Sequence, residues 1–151
     1  MHPLLTRVGT LVIAVATVSG LIAAGHQDVT KGRLERSLNA TFTHLYVQQA
    51  AVLGHRNVTA ASLVTTTTTC DRGGPTVKDV GAGPDWVCHV RWTDDAGAKQ
   101  DGKFELAAKA NYCYVASGPS KIVGLITIAD SHGHSVLNPL FEFDACYDPG
   151  A

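Results

Sequence analysis

Asp130-Ser-His-Gly-His-Ser135 sets His132 and His134 two residues apart, with a carboxylate two residues before the first. Imidazoles at that spacing on one strand face can share a metal ion, and a metal-bound water would then serve hydrolysis. Such a site needs three or four ligands, so Asp130, Glu142 or Asp144 would have to complete it across a hairpin. Asp130, Ser131 and His132 also include the residue types of a hydrolase triad. They are adjacent, however, whereas a triad is assembled from distant positions. Gly-x-Ser-x-Gly, Ser-x-x-Lys, His-Glu-x-x-His and a phosphate-cradling glycine loop are missing from the sequence. Gly133 points to the tip of a turn, where histidines are solvated. The stretch therefore predicts a polar hairpin with no metal and no cofactor. A metal-dependent hydrolase using the His132/His134 loop is the competing reading.

Sulfur is the other reactive group. Cys70, Cys88, Cys113 and Cys146 are spread through the C-terminal part with no Cys-x-x-Cys, which excludes the spacing of a zinc ribbon or a thioredoxin-type redox site. An even set of well-separated cysteines behind an export signal reads as two disulfides in an oxidising compartment. Three pairings are open. Cys70–Cys88 with Cys113–Cys146 is preferred, because each pair joins segments expected to be sheet neighbours.

The export signal is Val8 to Gly25, VGTLVIAVATVSGLIAAG, eighteen residues without a charge and preceded by Arg7. As a helix it would reach about 27 Å, just short of the roughly 30 Å hydrocarbon core. Residues 1–25 thus form either a signal anchor or a signal peptide cleaved after Ala24 or Gly25. Lys31, Arg33 and Arg36 behind the segment, counted against Arg7, would keep the C-terminal part inside. The four cysteines argue for outside, and they carry more weight.

Residues 26–54 contain a helical stripe: Leu34, Leu38, Phe42, Leu45, Gln49 and Val52 recur at steps of three and four, with Gln49 its one polar member. Thr30 or Asp28 can cap its start and Gly54 its stop. Residues 55–151 read as β-rich. Ser62–Cys70, with its threonine run, favours a strand, and the glycines and prolines of 71–85 a loop. Trp86, Cys88, Val90 and Trp92 alternate with His89 and Arg91, as in a half-buried strand. Phe104 to Tyr114 reads as the return strand, with Cys113 on its wetter side. Ile122–Ala129 is continuously apolar and is expected to be a central strand. Leu140–Cys146 alternates again. The fold class is α+β: a hydrophobic N-terminal helix, then one long helix packed on a four- to five-stranded antiparallel sheet with two disulfides. A β-sandwich with an appended helix is the alternative.

Charge divides along the chain. His26 to Arg56 carries four Lys/Arg against Asp28 and Glu35, while Asn57 onward carries seven against eleven Asp/Glu. No basic footprint for nucleic acid results. The apolar run 8–25, the helix that follows it, and Cys70 and Cys88 around a glycine-rich loop together resemble uncharacterised exported or membrane-anchored small proteins of high-GC Gram-positive bacteria. In some of these a helix packs on a curved antiparallel sheet, as in cystatin-like folds. The resemblance implies a bacterial, extracytoplasmic domain and transfers no functional residue. The expected function is a non-enzymatic binding module, held at the cell membrane by the N-terminal helix or secreted after cleavage. Its partner would be a protein or a cell-envelope component, met by exposed Trp, Tyr and Phe of the strands. An accessory subunit of a membrane complex, docked through that helix, is the alternative.

Overall fold

The computed structural model describes residues 29–63 and 65–147. The signal segment and the capping role of Asp28 lie outside the described residues. Among those described, no helix is long and apolar enough to cross a membrane.

Helix α1, Lys31–Val52, buries Leu34, Leu38, Phe42, Gln49 and Ala50. The expected stripe is this face, with Leu45 and Val52 only partly buried and Ala50 added. Thr30 takes the N-cap position but its side chain makes no capping bond. The start is held instead by the rest of the fold: Lys31 N donates to the Asp79 carbonyl and Gly81 N to that of Val29. The stop is local. His55 N donates to the Ala50 carbonyl and Gly54 N to that of Ala51, with Gly54 at φ +86. That paired pattern requires a left-handed residue, which glycine adopts without a Cβ clash.

Strands β1 (Thr67–Asp71), β2 (Gly83–Thr93), β3 (Lys99–Ala108) and β4 (Cys113–Ser117) are followed by a short helix α2 (Ser120–Val123). Then come β5 (Thr127–Ala129), β6 (Ser135–Leu137) and β7 (Glu142–Cys146). The main sheet runs β1-β2-β3-β4-β7, antiparallel throughout, and β5 and β6 make a separate two-stranded sheet. Helix α1 covers one face of the five strands. The architecture is α+β with one layer of sheet, not a sandwich.

The core lies between helix and sheet. Phe42 meets Trp92 at 4.7 Å and Phe104 at 5.8 Å between ring centroids. Trp86, Cys88, Val90 and Trp92 are buried, as their alternation requires. So are Phe104, Tyr114, Phe143 and Tyr147, and the expectation of an aromatic contact surface on the strands is overturned. Aromatic rings carry the largest apolar area per residue, and a domain of this size spends them on its interior.

Three expected strands change. The segment before β1 begins as a 3-10 turn, Ala60–Leu63, and Thr66 directs both its N–H and its hydroxyl to the Leu63 carbonyl. Threonine's own hydrogen-bonding side chain competes there with the sheet ladder. The return strand breaks after Ala108, with Tyr112 at φ +67 in the turn. The inward parity carries through that turn: Tyr114 and Ala116 point inward like Phe104, Leu106 and Ala108, and Cys113 lies on the wetter side, as expected. Ile122–Ala129 is not a central strand. It divides into the end of α2, Gly124 at φ +95, two exposed residues and the short β5.

Candidate interaction surface

The cysteines close as Cys70–Cys88 and Cys113–Cys146, the preferred pairing, and no free cysteine remains. Each pair sits directly opposite across adjacent antiparallel strands. Cys70 and Cys88 are buried beneath α1, whereas Cys146 is exposed and Cys113 half-buried on the outer face. Two closed disulfides fit an oxidising environment.

The His132/His134 loop joins β5 to β6. Asp130 N donates to the His134 carbonyl and Gly133 N to that of Asp130. The Asp130 carboxylate Oδ1 accepts from His132 N and His134 N, both at 2.8 Å. These bonds, that of His134 N first, hold the Asp130 carboxyl below the usual carboxylate range. The β2–β3 connection repeats the pattern residue for residue. Asp94 N bonds to the Ala98 carbonyl, Gly97 N to that of Asp94, and Asp94 Oδ1 accepts from Ala96 N and Ala98 N. Both loops are Asp-x-x-Gly-x, with the glycine at φ +82 or +83, a three-residue connection of the bulged type. Alanine stands at 96 and 98 where histidine stands at 132 and 134. Aspartate and glycine therefore build the turn, and the imidazoles are exposed additions to it. Their ring centroids lie 6.2 Å apart. No group of three or more His, Cys, Asp or Glu able to hold a metal occurs among the described residues.

Between Val123 and Asn138 lies a surface that the sequence reading did not foresee. Leu125, Ile126 and Leu137 are 68%, 57% and 76% exposed. Leu137 pairs with Thr127 on the outward side of the small sheet, while Ile128 and Val136 face inward. This apolar hairpin is mounted on a buried polar network. Asn138 Nδ2 donates to the carbonyls of Val123 (2.8 Å) and Leu125 (2.9 Å), and its Oδ1 accepts from Leu140 N. Gln49 Nε2, from α1, donates to the same Asn138 Oδ1 and to the Val123 carbonyl, each at 2.7 Å. Ser131 N adds a bond to the Val52 carbonyl at the end of α1. The polar member of the helix stripe is thus the residue that ties the hairpin to the helix. Comparison with protein-family models, with curated proteins and with solved structures found no match to this chain.

Proposed function

We propose that the protein is an exported, membrane-tethered, non-enzymatic binding module that meets a protein partner through Leu125, Ile126 and Leu137. The observation that carries this reading is an apolar hairpin left in solvent yet fixed by buried hydrogen bonds. Exposed apolar groups held in one geometry mark contact sites more often than isolated exposed leucines do. The carboxylates with lowered pKa support a non-catalytic role. Asp85 is held by Arg72, Asp94 by Gln100, Asp101 by His89 and Asp130 by backbone N–H groups. Each is occupied in stabilising a loop or a sheet face.

Burying three such side chains would contribute roughly 3–6 kcal/mol before the cost of association. Alone that supports a transient complex. The apolar run 8–25 supplies the remainder of the reading, because confinement to a bilayer raises the effective concentration of a partner in the same membrane.

Photo-crosslinking amino acids placed at Leu125 or Leu137 of the full chain, in intact producing cells, test this. A discrete protein adduct is expected at both positions, and none at Thr69 or Glu105 on the outer face of the main sheet. Equal labelling at all four positions, or none at any, would sink the proposal.

A further inference from the structure

The side of α1 away from β1 carries a second feature. The helix packs closely on β1 and more sparsely on β7, at the other edge of the sheet. The offset leaves a cleft of about 310 Å³ lined by Arg33, Arg36, Ser37, Thr41 and Tyr147, with Ala40 beside them. The helical positions follow one another at three- and four-residue steps, so they form one face. Two guanidiniums and two hydroxyls are thereby presented to one space.

The floor is prepared for a hydrogen-bond acceptor. Tyr147 is only 6% exposed, and its hydroxyl is buried with no hydrogen-bond partner among the described residues. A buried donor left unpaired destabilises the fold, and a ligand oxygen would supply the missing partner. Tyr114, fully buried, lies 3.2 Å from the Ser37 hydroxyl and 3.5 Å from that of Thr41. By donating to one of them it leaves that hydroxyl's own proton to turn toward the cleft. Each guanidinium has five N–H donors in a planar fork, so a contact already made by Arg33 or Arg36 leaves others for a ligand.

We infer that the Arg33/Arg36/Tyr147 cleft binds a phosphate monoester. Two cationic forks with three hydroxyls offer more donors than the two oxygens of a carboxylate accept, and they match the three oxygens and near-double charge of a phosphate group. The volume is at the small end of ligand sites and fits the phosphate with a short organic portion against Ala40. This site stands independently of the apolar hairpin, and either can fail without the other.

The test uses the full chain in detergent and titration calorimetry with inorganic phosphate, phenyl phosphate, benzoate and a short-chain phosphatidic acid. Phenyl phosphate should bind with release of heat and weaken with added salt. Arg33→Gln with Arg36→Gln should lower its affinity roughly tenfold or more. Tyr147→Phe keeps the ring against Tyr112 and should cost several-fold in affinity, while removal of the unpaired hydroxyl should raise the melting temperature of the unliganded protein. Tighter binding of the phosphatidic acid would assign the group to a lipid headgroup, and tighter binding of phenyl phosphate to a soluble ester. Benzoate binding as well as phenyl phosphate, no binding of either phosphate ester, or affinity unchanged in the double arginine variant would overturn the inference.

Discussion

Asn138 and Gln49 show how the weight of a buried network depends on which atoms have other partners. Removing Asn138 takes these bonds from the Leu125 carbonyl and Leu140 N and leaves the Val123 carbonyl with Gln49 alone, and Asn138→Leu should destabilise the domain by roughly 2–4 kcal/mol. Gln49→Leu leaves the Val123 carbonyl still bonded by Asn138 Nδ2 and Asn138 Oδ1 still bonded by Leu140 N, and should cost about 1 kcal/mol. Urea unfolding of the two variants measures the order, and a reversed order would contradict the network as described. Asp94 and Asp130 give a pH signature. Both carboxyls are lowered, Asp94 chiefly by the Gln100 amide and Asp130 chiefly by His134 N. They remain charged in the folded state to lower pH than in the unfolded chain. Their stabilising effect is whole above the unfolded value of about 3.9 and fades as pH falls through the folded one. Asp94→Ala with Asp130→Ala should therefore flatten the loss of stability between about pH 5 and pH 3, and a slope identical to the parent's would count against these caps. At this scale the sequence was legible wherever a residue acts through its neighbours in the chain, as Gly54 and Gly133 do. Gln49 was visible as an oddity in the stripe, but its partner lies 89 residues away and no local pattern links the two.

The elements divide in the same way. Trp86 to Trp92 announced itself by strict alternation, because one face is dry and the other wet. Ile122–Ala129 misled, since a short apolar run without a period reads equally as a strand or a buried helix end. Here Asn138 takes the Val123 and Leu125 carbonyls and holds the run out of the main sheet. The edge strand β1 is protected by α1: Cys70 N donates to the Glu35 carboxylate and Thr68 to Asn39, which blunts an otherwise open edge. The disulfides join elements at two depths. Chain entropy alone, for closures of 18 and 33 residues, assigns about 3 kcal/mol to Cys70–Cys88 and about 4 kcal/mol to Cys113–Cys146. Burial reverses that order, because replacing two core sulfurs with alanine methyls also leaves a void worth on the order of 1 kcal/mol for each. The Cys70→Ala/Cys88→Ala pair should accordingly melt lower than Cys113→Ala/Cys146→Ala. Mild reductant should open the exposed Cys113–Cys146 bridge first. Alkylation and peptide mapping over a reduction time course would report the order, and prior opening of the core bridge would contradict the depth assigned to it.

Across the whole molecule, the chain joins the domain beside Val80 and Gly81, while the apolar hairpin sits at the far end of α1, beside Gln49 and Val52. A helix of 22 residues separates the two by about 33 Å. Under the proposed tethering, Leu125, Ile126 and Leu137 would stand at the end of α1 opposite the tether. The pairing of all sulfurs underlies the entire reading, since a chain retained in a reducing compartment would have neither the cross-links nor the export on which the tethered module depends. The direct test is intact mass of the natively isolated protein after alkylation without reductant, followed by peptide mapping. The account predicts no alkylated cysteine, a mass below the all-thiol form by four hydrogens, and linked peptides carrying Cys70 with Cys88 and Cys113 with Cys146. Four alkylated cysteines in the undenatured protein would contradict it.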